Sequence, residues 1–180
     1  MASPDKIMLI RHAEKPASPP PAGVNENGDA DKHSLIVRGW QRAGALVEFF
    51  ENPARPGISR PATIFAATIS NDATIDPDDS KSLRPAETVA PLVAKSGAIF
   101  RNDIPVGAEG QAIDAIKMCR GVVLVSWEHK RIPTIAAGFI ANPPVWGDRF
   151  DAVWILDQQP DGSYVLSIVN QDLLSGDLPS

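Results

Sequence analysis

The chain has 180 residues, of which 43% are hydrophobic and 22% are charged. These values are typical of one globular domain that is large enough to bury a core without disulfide support. The formal net charge of −5 argues against binding to nucleic acid or to anionic membrane surfaces, since both attract basic proteins. We therefore expect a single domain over residues 1–180 whose partners are neither nucleic acids nor membranes.

The cellular location is predicted from the signals that the sequence lacks. No apolar run approaches the roughly 20 residues that a membrane-spanning helix needs. Residues 1–6 are mostly polar and lead directly into a hydrophobic run, so we expect no signal peptide. The single cysteine, Cys119, excludes an internal disulfide and a cysteine metal cluster. These features predict a cytoplasmic protein.

The first informative stretch is a short hydrophobic run that ends in two polar residues. Residues 7–10 are wholly apolar, which is typical of a buried parallel strand. The run stops at Arg11 and His12. Because ligands bind just beyond the carboxyl ends of strands in open α/β sheets, we expect these two side chains at a substrate site.

A long loop and then a helix follow this strand. Residues 16–34 are rich in Pro, Gly, Asn and Asp, which favour irregular structure. A loop of this length is often functional, so it either overhangs Arg11 and His12 or is an insertion without a role. We interpret His33, near its end, as an ordinary loop histidine. Residues 34–50 then show the period of an amphipathic helix, with Ser34 as its candidate N-cap.

The predicted helix has two distinct faces. The residues expected in the core are Trp40, Ala43, Val47 and Phe50, and those expected on the opposite, solvated side are Arg38, Gln41, Arg42 and Glu48.

Residues 62–68 are apolar and partly β-branched, which predicts a second parallel strand. A second long loop, at residues 69–82, contains four aspartates. Because carboxylates repel an anionic substrate, we interpret these aspartates as solvated or as selecting a cationic part of the substrate.

The next helix places an arginine at its start. Residues 82–95 contain Pro85, which suits a first helical position, and Pro91, which we expect to break or bend the helix. Arg84 would then lie at a helix N-terminus beyond a strand end, where backbone N–H groups attract anions. The alternative is a surface arginine paired with Glu87.

The rest of the chain continues the alternation of strands and helices. The predicted elements are a strand at 98–100, a helix at 109–118, a strand over the run 121–129 that ends in His129, a helix beginning near His129, and two strands at 152–156 and 164–169. A turn at 159–162 joins the last two strands. We expect residues 170–180 to form a loose tail.

Four of these features together resemble the histidine phosphatase superfamily, which has the phosphoglycerate-mutase-like fold, and its small phosphatase branch in particular. The resemblance spans residues 7–140. The matching residues are Arg11 and His12 with Ala13 in place of the usual glycine, Leu35, Gly39 and Ala43, Ser80, Arg84 and Thr88, and the strand followed by His129.

The resemblance implies an α/β fold, a three-layer α/β/α sandwich with a mostly parallel central sheet. It also implies a phosphatase that needs no metal or cofactor. His12 would be the nucleophile that forms a phosphohistidine. Arg11, Arg84 and His129 would bind the phosphate with it, since a phosphoryl group carries a charge of about −1.5 to −2. The substrate would be a phosphorylated small molecule or a phosphoprotein.

The general acid that protonates the leaving oxygen is left open by the sequence. Glu128 is the preferred candidate because it adjoins His129 at a strand end, although alternation along a strand would send the two side chains to opposite sides. Glu109 is the second candidate. Without a dedicated acid, the substrate would need a good leaving group.

Three other functions stay open at this point. A protein phosphohistidine phosphatase fits the size of the chain, but the loops at 16–34 and 69–82 would hinder a protein substrate. A phosphomutase would need a lid that excludes water. The mutases of the superfamily are longer than this chain, so hydrolysis is favoured. A non-catalytic phosphate-binding module would not need all four site residues.

Overall fold

A computed structural model describes residues 3–18 and 21–179 of the chain. Its strands are β1 (Lys6–Arg11), β2 (Thr63–Ala66), β3 (Ile99–Arg101), β4 (Val122–Trp127), β5 (Ala152–Gln158) and β6 (Tyr164–Asn170). Its helices are α1 (Val37–Glu51), α2 (Pro77–Ser80), α3 (Arg84–Ser96), α4 (Glu109–Lys117) and α5 (Ile132–Ala136). Every strand and helix that the sequence predicts has a counterpart here, and the unpredicted α2 lies inside the acidic loop.

The six strands form one sheet in the order β3-β2-β4-β1-β5-β6. The pairs β3–β2, β2–β4 and β4–β1 are parallel, whereas β5 runs antiparallel to both β1 and β6. The predicted fold class, an α/β sandwich with a mostly parallel central sheet, is therefore confirmed. Because β4 inserts between β1 and β2, the carboxyl ends of these three strands lie side by side at one edge of the sheet.

The alternation of side chains along β1 divides the core into two halves. Ile7 and Leu9 pack on one face of the sheet, with residues of α4 and α5. Met8 and Ile10 pack on the other face, with residues of α1 and α3. Period-two alternation in a strand that is apolar on both sides is what a sheet covered by two helical layers requires.

Helix α1 differs from its prediction in two respects. It begins after Ile36, and no side chain among the described residues caps it. Ser34 does not serve as the cap, because its hydroxyl donates to Glu87 Oε1 at 2.6 Å. In addition, Arg42 is fully buried rather than solvated, because an ion-pair network, described below, compensates its charge.

The expected break at Pro91 and the expected loose tail are wrong, whereas the expected bend at Pro91 stays a prediction. Helix α3 does not end at Pro91 but continues to Ser96, and Val89 and Leu92 on either side of the proline are buried in the core. The tail is not loose over the described residues 170–179. Asp177 pairs with Arg42, and the Leu178 amide donates to Asp151 Oδ2 at 2.8 Å.

Within the part of the chain that the structure describes, no helix is long and apolar enough to cross a membrane. Residues 19–20 of the first predicted loop and residue 180 of the predicted tail lie outside the described residues.

Candidate active site

The candidate site begins where β1 ends beside β4. Arg11 is in register with Trp127, the last residue of β4, and the His12 amide donates to the Trp127 carbonyl at 3.0 Å. Glu128 and His129 follow immediately. Two of the predicted site segments are thus joined by backbone hydrogen bonds, because the two strands end at the same level.

The His12 imidazole is held in one orientation. Its Nδ1 lies 2.8 Å from the carbonyl oxygen of Ala13, so Nδ1 carries the proton that is donated and Nε2 keeps its lone pair. The side chain is almost fully buried, with 1% of the residue exposed. Burial lowers the pKa of His12 from 6.5 to about 3, and the charges of Arg11 and Arg84 act in the same direction. The ring is therefore neutral at physiological pH.

Thr88 connects the His12 turn to helix α3. Its hydroxyl accepts a hydrogen bond from the Ala13 amide at 2.7 Å and donates to the Arg84 carbonyl at 2.7 Å. Both bonds are buried, so the hydroxyl fixes the start of α3 against the end of β1. This contact explains why a hydroxyl residue follows Arg84 by four positions in the recognised motif.

Gly39 allows α1 to pack against the same turn. A Cβ at this position would lie 2.6 Å from the Glu14 carbonyl oxygen, which is closer than real Cβ contacts allow. The same oxygen accepts from the Ile36 amide at 3.1 Å. A glycine is therefore required here by close approach of two backbone segments.

Arg11 is buried and only partly hydrogen-bonded. Its Nη1 donates to the Asp148 carbonyl at 2.5 Å, and its guanidinium carbon lies 3.8 Å from the centre of the Phe150 ring. The Phe150 ring also lies beside His12, with 6.1 Å between ring centres. The Arg11 Nε is buried and has no hydrogen-bond partner among the described residues. Unsatisfied buried donors are rare in proteins, so Arg11 keeps a donor that no described group of the fold uses.

Arg84 is also buried, and its charge acts on His12. It is 1% exposed, which excludes the predicted alternative of a surface arginine, and Glu87 bonds to Ser34 and Leu35 instead. Its Nη2 donates to the Lys32 carbonyl at 3.0 Å and to Asp78 Oδ1 at 2.6 Å. Its Nε, like that of the other site arginine, is buried without a partner in the described part of the chain.

The structure adds a cation that sequence reasoning missed. Lys15 Nζ lies 2.9 Å from Asp78 Oδ2, so the same carboxylate contacts both Lys15 and Arg84. The Lys15 charge also contributes to the lowered pKa of His12. Its position three residues after His12 was the available sequence signal, but the proline-rich loop that follows gave no indication of its direction.

His129 and Glu128 lie at the end of β4. His129 Nε2 is 4.0 Å from Asp148 Oδ1, and Asp148 also bonds to Arg11 through its carbonyl, so this residue links the two predicted phosphate ligands. His129 Nδ1 lies 2.7 Å from Glu128 Oε1. These two atoms are not aligned for a hydrogen bond, and neither has a hydrogen-bond partner among the residues described. The prediction that alternation would separate the two side chains is wrong, because β4 ends before them.

The ionisation of both side chains is shifted. Burial lowers the pKa of His129 to about 4, and the Arg11 charge adds to this effect. Burial raises the pKa of Glu128 above its ordinary value, which favours a protonated carboxyl. The arrangement therefore combines neutral imidazoles, cationic guanidinium groups and a carboxyl with a raised pKa.

Glu109, the second candidate for the acid, has a different environment. Its Oε1 accepts from the Trp127 indole at 2.9 Å and from the Gly107 amide at 2.8 Å. Its Oε2 lies 3.7 Å from Arg131 Nη1. Both carboxylate oxygens of Glu109 are therefore engaged by groups of the surrounding fold, as expected of a structural carboxylate.

Across the residues described, no group of three or more His, Cys, Asp and Glu side chains is arranged to hold a metal ion.

Solved structures with the same fold are known. The protein histidine phosphatase SixA, complexed with tungstate, has a TM-score of 0.56 and 9% sequence identity, over 92% of this chain and 97% of that chain. A protein assigned as an alpha-ribazole-5'-P phosphatase from Escherichia coli K-12 has a TM-score of 0.53 and 14% identity, over 94% of this chain and 97% of that chain. A phosphoglycerate mutase from Plasmodium falciparum has a TM-score of 0.50 and 14% identity, over 90% and 87%.

These matches define the fold. The chain has the fold of the histidine phosphatase superfamily. No protein-family model and no curated protein matches the sequence.

Proposed function

We propose that the protein is a phosphatase that hydrolyses phosphate monoesters through a phosphohistidine intermediate on His12 and needs no metal ion. The observation that carries the proposal is the state of His12: a buried imidazole with a pKa of about 3, whose Nδ1 donates to the Ala13 carbonyl. Such a ring presents a neutral Nε2 as a nucleophile.

The surrounding cations supply the electrostatic part of the reaction. The Arg11 and Arg84 guanidinium groups each have a buried Nε with no partner among the described side chains and backbone groups. Phosphate oxygens accept hydrogen bonds from such planar donors in pairs. Donors that are already in place stabilise the charge that develops on the equatorial oxygens of the transition state. His129 would add a further donor.

Glu128 acts as the general acid in the first step of the reaction and as the general base in the second. His12 Nε2 forms a bond to phosphorus while the bond from phosphorus to the leaving oxygen breaks, and the proton of Glu128 passes to that oxygen. Water then attacks the phosphohistidine, the P–N bond breaks, and Glu128 takes the proton of the water. The raised pKa of Glu128 supports this role, since an acid must carry its proton at working pH.

The test is turnover of a chromogenic aryl phosphate in the presence of a chelator. We expect hydrolysis by the wild type and a fall of about 10³-fold or more in His12→Ala, because covalent catalysis is lost. An acid-labile phosphoryl label should be trapped on the wild type. His33→Ala is the matched control, since His33 is a histidine outside the proposed machinery, and its activity should match that of the wild type.

A panel of phosphate monoesters together with phosphohistidine identifies the substrate class. Hydrolysis that survives in His12→Ala at a comparable rate would reject the nucleophile. Transfer of the phosphoryl group that depends on a bisphosphorylated cofactor would indicate a mutase instead.

A further inference from the structure

The acidic loop between β2 and α3 places a carboxylate in the candidate phosphate site. Asp78, on the short helix α2, has Oδ1 at 2.6 Å from Arg84 Nη2 and Oδ2 at 2.9 Å from Lys15 Nζ. Its Oδ2 also lies 3.5 Å from Arg84 Nη1. The carboxylate therefore faces the fork of the guanidinium group, as a phosphate would. The sequence-based interpretation of this aspartate as solvated is incomplete, because the half-exposed carboxylate also pairs with two cations.

We propose that Asp78 is a built-in competitor for the substrate phosphate, which has to displace it from Arg84 and Lys15 before binding. This inference rests on the proposed function, because it assigns a role at the same site. It makes Asp78 a residue that sets the affinity for phosphate without taking part in the chemistry.

The contacts of the two arginines support an exchange of anions. Asp78 uses only the Nη atoms of Arg84 and leaves its buried Nε without a partner among the described residues, and the Nε of Arg11 is in the same condition. A carboxylate has two oxygens and one negative charge. A phosphoryl group offers three oxygens and a charge of about −1.5 to −2, so Arg84 and Lys15 attract it more strongly than they attract a carboxylate.

The position of Asp78 allows it to leave. Its side chain is 46% exposed, whereas Arg84 is 1% exposed. This carboxylate can therefore rotate into solvent without passing through a buried position, while Arg84 stays in place. The first turn of α2 does not depend on the side chain, because Asp76 caps the helix by accepting from the Asp78 amide at 2.8 Å.

A proton does not release the carboxylate under ordinary conditions. Partial burial by itself would raise the pKa of Asp78, but hydrogen bonds from Arg84 and Lys15 outweigh it and lower the pKa to about 2. Asp78 is therefore ionised over the working pH range, and displacement requires another anion.

The experiment measures binding of inorganic phosphate by calorimetry or by NMR titration at a fixed salt concentration. In Asp78→Asn the dissociation constant should fall by about 2- to 30-fold, since two competing ion pairs of a half-exposed carboxylate together reduce the competent fraction by that order. Asp78→Ser should behave in the same way, because both variants remove the charge. The matched control is Asp79→Asn, which removes the neighbouring carboxylate, 3.4 Å from Lys130 Nζ, and should change the constant less.

Kinetics on an aryl phosphate provide the second readout. We expect a lower KM and an unchanged kcat in Asp78→Asn, because the removed contact opposes binding and not the chemical step. Phosphate binding that is unchanged or weaker in this variant, or a fall in kcat, would overturn the inference and make Asp78 a positioning residue for Arg84. Tighter phosphate binding with no turnover in either protein would support the inference while rejecting the hydrolase. Absence of phosphate binding in all of the proteins would reject both.

Discussion

Two buried arginines, Arg42 and Arg84, have opposite hydrogen-bond environments. Every guanidinium nitrogen of Arg42 has a partner, and its acceptors are Glu14, Asp177 and Gln171. Arg84 bonds to one backbone carbonyl and to one half-exposed carboxylate, and its Nε has no partner among the described residues. A saturated arginine has no capacity left for a ligand, whereas an unsaturated one does.

Under the proposed function, this contrast separates a structural arginine from a substrate-binding one. Arg42 joins the segment after β1 to the C-terminal segment, since Glu14 and Asp177 are both ion partners at 2.7 Å. Arg84 lies beside the neutral imidazole of His12. Burial alone does not distinguish these two arginines, because both are almost fully inaccessible to solvent. What distinguishes them is the number of guanidinium N–H donors without a hydrogen-bond partner among the described residues.

The largest effect should come from breaking the saturated network. Arg42→Met leaves the buried carboxylates of Glu14 and Asp177 with only the half-exposed Arg38 as a counter-charge, so the free energy of unfolding should fall by about 3 kcal/mol. Denaturant unfolding measures this change. Arg38→Met is the control on the same helix, because Arg38 is a half-exposed partner of Glu14 and should cost no more than about 1 kcal/mol. Equal losses in the two variants would contradict the assignment of Arg42.

The corresponding change at Arg84 should affect catalysis and not folding. Arg84→Met should lower kcat/KM on an aryl phosphate by about 10²- to 10³-fold, since a preorganised donor to the transition state is lost. Its unfolding midpoint should stay much closer to that of the wild type than the midpoint of Arg42→Met does. Steady-state kinetics and denaturant unfolding of the same preparations check both statements. A variant that unfolds easily but keeps its activity when folded would show that Arg84 is structural.

The same contrast applies to two carboxylates. Glu128 has an unpartnered Oε1 within the described residues and a raised pKa, whereas Glu109 is held by Trp127 and Gly107. Glu128→Gln should lower kcat by about 10²-fold on alkyl phosphates and much less on aryl phosphates, since only poor leaving groups need the proton. Glu109→Gln should lower stability and affect both substrates alike. The ratio of alkyl to aryl activity in each variant decides between the two acids.

The pH dependence of stability tests the proton affinity of His12. Its pKa is about 3 in the folded protein and near 6.5 in an unfolded chain, so the unfolded state binds more protons between these values. The free energy of unfolding should therefore fall as the pH is lowered from 6.5 towards 3. His12→Asn should reduce this dependence, as measured by denaturant unfolding at several pH values. An NMR signal of His12 that titrates near pH 6.5 in the folded protein would contradict the prediction.

The sequence by itself determined the order of strands and helices and indicated most residues of the candidate site. Apolar runs that end in Arg11-His12 and in Glu128-His129 could be recognised because strand periodicity and an abrupt change of polarity are local properties. Arg84 was recognised from its spacing to Thr88 and its position at a helix start. The fold class confirmed by the structure follows from the same alternation of elements.

The tertiary structure alone decided which polar groups are satisfied. The amphipathic pattern assigned Arg42 to the solvated side of its helix, but partners from residues 14, 171 and 177 make its burial favourable. Likewise, Asp78 was interpreted as solvated, because its contacts with Lys15 and Arg84 join separate segments of the chain and are not visible in the sequence. Whether a charged side chain is saturated, competed for or free depends on partners far away in sequence, and a pattern of neighbouring residues contains no information about them.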